Sequence, residues 1–181
     1  MVIKNSLNSP LQIAEVLLQP GEGRIGLTLC PGKKDPGHWN RNLSEDLKVI
    51  RAWGATTVVT LIEDHEFQML GIETLGQDVR ALGMDWLHLP ILDVSIPDHR
   101  LEEAWGLTGP KLHSRLDAGE RILIHCRGGL GRTGLLAGRM LVERGCDPRT
   151  AIQRVRAVRP HAIETAAQEQ YVLNSTVRAA E

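Results

Sequence analysis

Aromatic side chains are scarce in this sequence: one Tyr, one Phe and four Trp make up 3% of 181 residues. So few ring faces argue against a base-stacking platform for single-stranded nucleic acid. Neither sign of charge is in excess, since 21 basic and 22 acidic side chains leave −1. A cationic groove for a phosphate backbone is therefore not expected. Cysteine is limited to three, an odd number at wide spacing, which does not make a disulfide framework. Long apolar runs are missing too. Val58-Val59 through Ile62 is strand-sized and far too short for a bilayer. Asn5, Ser6, Asn8 and Pro10 interrupt the first residues, so Met1 to Ile13 does not read as a signal peptide. The remaining composition, 42% apolar and 24% charged, is that of one globular domain. The expected setting is a cytoplasmic monomer with neither a membrane nor a nucleic acid as partner.

Along the chain, strand and helix signals alternate. Residues 1–22 read as an irregular or partly stranded lead-in. Arg24 to Cys30 reads as a strand closed by Pro31-Gly32, and Lys33 to Asn40 as a polar loop. Asn42 caps a helix with Leu43, Leu47, Ile50 and Trp53 at helical spacing and Gly54 as its stop. Thr56 to Ile62 is the continuous β-branched run of a strand covered on both faces. Glu63-Asp64-His65-Glu66 reads as a charged turn. A helix is expected over Thr74 to Leu82 and a strand over Trp86 to Leu92. Leu101 to Leu116 reads as helical, interrupted by Gly106, Gly109 and Pro110. The strand Arg121 to His125 then leads into a helix over Gly131 to Glu143. Asp147-Pro148 opens a helix to Val158, and Thr165 opens the last one, to Val177. The fold class is thus α/β: a single domain with a largely parallel sheet of four to five strands and helices on both faces. Ligands of such sheets sit beyond the carboxyl ends of the strands.

One such place carries His125-Cys126-Arg127-Gly128-Gly129-Leu130-Gly131-Arg132-Thr133-Gly134. Three glycines in four positions let successive N–H groups turn toward one point and form an anion-binding nest. The helix starting there adds its positive end. A thiol at the mouth of the cradle is favoured as thiolate by the same donors. Arg132, six residues after Cys126, can lay its planar fork on two oxygens of a tetrahedral anion. The assembly would bind a phosphate and aim a nucleophile at its phosphorus.

The run His-Cys-x2-Gly-x2-Arg-Thr resembles the loop of the protein tyrosine and dual-specificity phosphatase superfamily. Gly26 to Gly32, the helix at Leu43, and Leu92-Asp93 followed by Pro97-Asp98 resemble the cyclin-dependent-kinase-associated phosphatase branch, over about residues 22 to 175. The resemblance implies a cysteinyl-phosphate at Cys126, with Arg132 and the backbone of Arg127, Gly128, Gly129, Leu130, Gly131 and Arg132 holding the phosphoryl oxygens. It gives Thr133 the task of easing thiolate departure, and His125 that of ordering the loop. It also implies an aspartic acid before the loop as proton donor. Asp93, 33 residues before Cys126, is preferred, and Asp98 is assigned to orienting the loop or the substrate. Where the family often has a glutamine that positions water, this chain has Glu164, and Gln168 matches a second, variable glutamine. No cofactor is implied, and no metal-ligand cluster is evident. The implied partner is a phosphoprotein or phosphopeptide.

Other side chains keep two readings each. Cys30, at a strand end, is either packing or a partner that traps oxidised Cys126 as a disulfide. Arg127 adds charge beside the phosphate and could favour substrates with a second anionic group. Arg154, Arg156 and Arg159 form either a solvated helix face or salt bridges behind the loop. Trp39 is the tryptophan placed to face a substrate. As alternatives to a protein phosphatase stand a phosphoinositide or small phosphate-ester phosphatase, an inactive phosphoprotein-binding module, and a sulfurtransferase.

Overall fold

A computed structural model describes residues 2–178. In chain order its elements are β1 (Ala14–Leu17), β2 (Arg24–Thr28), β3 (Lys34–Asp35), β4 (Trp39–Asn40), α1 (Leu43–Trp53), β5 (Ala55–Thr60), α2 (Asp64–Leu70), α3 (Leu75–Ala81), β6 (Asp85–His88), α4 (His99–Asp117), β7 (Arg121–His125), α5 (Gly131–Glu143), α6 (Pro148–Val158) and α7 (Ala166–Leu173). Five strands form one sheet in the order β1-β2-β7-β5-β6, with only β1 antiparallel, and β3 and β4 make a small separate hairpin. This is the single-domain, largely parallel α/β architecture expected.

β7 is central because every side chain from Ile122 to His125 is buried, as a strand covered on both faces requires. Its last residue, His125, pairs in register with Thr28 of β2 and Thr60 of β5. The carboxyl ends of three parallel strands therefore converge on one rung, and the glycine-rich loop leaves from its middle. α5 packs on β2 and β7 and against α6 and α7, while α1 and α3 lie together beside β5 and β6.

Several elements depart from the expected boundaries. Glu63 to Glu66 is the start of α2 and not a turn, because the Glu66 carboxylate reaches back to the Glu63 N–H at 2.8 Å and satisfies a first-turn donor. α4 runs unbroken through Pro110. The proline removes one donor, whose acceptor would be the carbonyl of Gly106, a position exposed to solvent. Leu101, Trp105, Leu112 and Leu116 bury one stripe of α4 against the core. The strand expected to reach Leu92 stops at His88, since Pro90 has no N–H to donate. Leu89 and Ile91 still donate to Thr60 and Leu61. The stretch expected as a loop from Lys33 to Asn40 folds into the β3–β4 hairpin, and α7 ends at Leu173 rather than Val177. Within the lead-in, β1 pairs along β2. Among the described residues no helix is long and apolar enough to cross a membrane.

Candidate active site

The loop from Cys126 to Leu130 is shaped by contact with the strand beside it. Gly129 has φ +69°, and a Cβ there would stand 2.3 Å from the carbonyl oxygen of Thr28, so no other residue fits without displacing β2. Behind the loop, Arg159 donates to the carbonyls of Gly128 and Gly129, both at 3.0 Å. Cys30 N–H and the Lys33 ammonium donate to the carbonyl of Arg127 at 3.2 and 3.3 Å. With three carbonyls held outward, the N–H groups of the turn are left for the concave side.

Cys126 is buried at the end of β7. The residue before it is held by a relay of side chains. Trp86 Nε1 donates to Thr60 Oγ1 at 2.8 Å, Thr60 Oγ1 lies 2.7 Å from His125 Nε2, and His125 Nδ1 lies 3.1 Å from the carbonyl of Cys126. A carbonyl only accepts, so Nδ1 carries the proton and Nε2 accepts from the threonine hydroxyl. Burial pushes the imidazole down to about 4, and the ring is neutral at physiological pH.

Arg132 is among the largest fully buried side chains of the protein. Glu66 clamps its fork, with Nη1 to Oε2 at 2.6 Å and Nη2 to Oε1 at 3.0 Å, and the Ile91 carbonyl accepts from Nη1 at 3.1 Å. Burial by itself would raise the Glu66 carboxyl, but the guanidinium and the Glu63 N–H outweigh it and hold it below the usual carboxylate range. Two buried polar atoms of the loop region have no hydrogen-bond partner: Arg132 Nε and Thr133 Oγ1. Both are groups that an oxyanion or a thiolate could satisfy.

Asp93 lies at this arginine, Oδ1 2.9 Å from Nη2, with half of its side chain exposed. The same oxygen accepts from Val94 N–H at 3.0 Å. Val94 has φ 58°, a left-handed conformation that costs a β-branched residue energy and turns the chain sharply after the aspartate. Asp98 is elsewhere: it caps α4 through Arg100 N–H and pairs with the Arg100 guanidinium, whose other partner is Glu63. The Arg100 contact keeps its carboxyl below the usual range. The structure thus brings Cys126, the loop through Arg132, Thr133, His125 and Asp93 together, and leaves Asp98 apart from them as the cap of α4.

Gln168 is fully buried and committed to backbone. Its Nε2 donates to the Ser95 carbonyl at 3.1 Å, and its Oε1 accepts from Glu164 N–H at 3.0 Å and Thr165 N–H at 3.3 Å. Glu164 itself is exposed, with its carboxylate against Gly131 at the start of α5, where a Cβ would stand 2.4 Å from Oε2. Arg127 donates to Asp35 at 2.6 Å. Cys30 is wholly buried, and that burial pushes its thiol up strongly. Trp39 lies under three cations, Lys4, Lys33 and Arg41, at 5.0 to 5.4 Å from its ring centre. Arg154 reaches the carbonyl of Leu17, and Arg156 those of Ala162 and Ile163, so two of the three clustered arginines brace the loop and its neighbour. Sequence reasoning met Glu66 only within the charged run Glu63 to Glu66, read as a solvated turn or as a lining of the cleft mouth, and did not single out Asp35. The capping pattern at Glu63 to Glu66 was the one local signal for the former.

Residues 38–172 match the PTP-SAK family model, described as Swiss Army Knife protein, DSP-PTPase phosphatase domain. The chain is 30% identical over 150 residues to cyclin-dependent kinase inhibitor 3 of Mus musculus, covering 82% of this chain and 69% of that protein. It is 32% identical over 127 residues to protein tyrosine phosphatase type IVA 3 of Mus musculus, covering 70% and 68%. Among solved structures it is similar to kinase associated phosphatase carrying serine in place of its catalytic-site cysteine. That likeness has a TM-score of 0.81 at 26% identity, over 91% of this chain and 93% of the other.

Proposed function

The chain belongs to the DSP-PTPase phosphatases, the tyrosine and dual-specificity class, and within that class we propose that it hydrolyses phosphotyrosine, and also phosphoserine and phosphothreonine, on protein substrates by way of a cysteinyl-phosphate at Cys126. The observation that carries this reading is the 2.9 Å contact of Asp93 with Arg132, which supports the carboxyl as proton donor beside the fork of the loop that begins at Cys126.

In the first step the Cys126 thiolate attacks phosphorus, the P–O bond to the substrate breaks, and Asp93 gives its proton to the leaving oxygen. Arg132 and the N–H groups of residues 127 to 132 hold the three equatorial oxygens as negative charge gathers on them. In the second step water attacks phosphorus, Asp93 takes the proton, and the P–S bond breaks to release phosphate and thiolate. The Thr133 hydroxyl is the donor assigned to the departing sulfur. His125 acts through the carbonyl of Cys126, fixing where the loop begins. The neutral imidazole has both nitrogens engaged, which leaves it no part in proton transfer.

We take residues 1–181 as one phosphatase domain and place it in the cytoplasm as a monomer. Three cysteines, all unpaired, agree with a reducing compartment. A binding module without turnover is less well supported, because the cysteine, arginine and aspartate that turnover would need are all retained.

Purified protein and Cys126→Ser are assayed on para-nitrophenyl phosphate and a phosphotyrosine peptide with chelator present. Turnover that survives chelation and vanishes in the variant is the expected result. A wild-type protein that binds phosphate analogues but turns over neither substrate would overturn the reading.

A further inference from the structure

The β3–β4 hairpin meets the loop at Arg127, and does so with charge. Two cations and one carboxylate meet there. Asp35 Oδ1 is 2.6 Å from Arg127 Nη2, and Asp35 Oδ2 is 3.6 Å from Lys33 Nζ. Lys33 is not a free cation for a ligand: 6% of its side chain is exposed, its ammonium is donated to the Arg127 carbonyl, and the Trp39 ring lies over it. Lys34 lies along Gly71, at the end of α2. Arg127 is the one exposed cation of the loop itself, with 39% of its side chain open, and Asp35 takes up its charge.

From this we propose that Asp35 determines specificity: by pairing with Arg127 it makes the rim beside the phosphoryl site unfavourable to a second anionic group, so that the enzyme takes singly phosphorylated segments over doubly phosphorylated ones. The inference rests on the phosphatase reading above and deepens it. A second phosphate next to the first would have to displace Asp35 from Arg127 or sit against its carboxylate. Like charges at a solvent-facing rim change affinity by about tenfold and more weakly as salt rises. Asp35 touches neither Cys126, Arg132 nor Asp93, so chemistry on a singly charged ester does not pass through it.

The test compares a phosphotyrosine peptide with the same peptide bearing a phosphoserine at the next position, using the full chain as wild type, Asp35→Asn and Asp35→Asn with Arg127→Met. Wild type is expected to prefer the singly phosphorylated peptide. Asp35→Asn raises the kcat/KM ratio of double to single about tenfold, through KM, while kcat on para-nitrophenyl phosphate stays within about twofold. Adding Arg127→Met removes the gain, and so does high salt. An unchanged ratio in Asp35→Asn, a gain that persists without Arg127, or a wild type that already prefers the doubly phosphorylated peptide overturns the proposal. Asp35→Ser reads the same ratio should the asparagine variant melt below the assay temperature. Failure of wild type on both para-nitrophenyl phosphate and the single peptide is a different result, since it removes the phosphatase reading itself.

Discussion

Arg132 and Glu66 form an ion pair with 1% and 2% of their side chains exposed, tying the second residue of α5 to the first turn of α2. The pair holds the guanidinium in one plane before any phosphate arrives, so the fork need not be ordered during the reaction. Because neither charge is hydrated, each depends on the other.

Glu66→Gln keeps the shape and removes the charge. Loss of one partner of a buried pair costs up to about 3–5 kcal/mol, and here the Ile91 carbonyl and Asp93 stay as partners of Arg132. We expect a lower melting temperature together with a fall in kcat/KM of about 10- to 100-fold, the scale of a misplaced catalytic group. Glu66→Asp, which retains charge but not reach, should recover stability more than activity. Activity equal to wild type in Glu66→Gln would show that Arg132 needs no clamp.

Asp93, at Arg132, and Asp98, at the cap of α4, should separate cleanly in kinetics. Removing a general acid costs ~10²–10⁴ in rate, so Asp93→Asn should fall in that range on a phosphopeptide. The loss should shrink on an ester whose leaving group needs no proton. Asp98→Asn should lose the cap of α4 instead, about 1 kcal/mol of stability, with a far smaller change in turnover. The opposite order would transfer the acid to Asp98.

His125 predicts a pH-dependent stability. Its folded value, about 4, lies below the unfolded 6.5, so between these values the unfolded chain binds the extra proton and stability rises with pH. The stabilisation present above pH 6.5 is therefore lost as pH falls toward 4, in total on the order of 3 kcal/mol. Chemical denaturation from pH 4 to 7 should show the slope, and His125→Asn should flatten it. Equal slopes in the two proteins would mean that the ring is not buried as a neutral group.

Gln168→Leu leaves the Ser95 carbonyl and the Glu164 and Thr165 N–H groups without their partner. Since Ser95 is two residues beyond Asp93, the loop carrying Asp93 should loosen. kcat is expected to fall about tenfold or more with KM little changed, and Gln168→Glu should restore the two N–H bonds but not the one to Ser95. A change in KM alone would place Gln168 in substrate binding.

Local chemistry made part of this legible from residue types alone. The unit from Arg121 to Glu143 could be read to its ends, since an apolar strand, a glycine turn and a helix start are signals confined to neighbouring residues. The Asp147 cap with Pro148 is equally local. α2 was hidden because glutamate is not among the favoured caps and its capping bond depends on a side chain folding back. The clamp of Arg132 joins residues 66 apart, and the Arg127–Asp35 pair joins residues 92 apart. No periodicity reports such contacts. They exist because parallel strands bring the ends of distant segments to one rung. For the same reason Arg127 looked like a free charge in the sequence, whereas the folded hairpin supplies its counterion.

The rung formed by Thr28, His125 and Thr60 has a mechanical consequence. β7, the strand that leads into Cys126, is hydrogen-bonded on both sides by parallel neighbours, so it has no edge from which to fray, and its amides are expected to exchange only when the whole sheet opens. Thermal inactivation and global unfolding are then expected to be one event, with activity and the folded signal lost at the same temperature rather than through a cooler form in which the thiol has left its cradle.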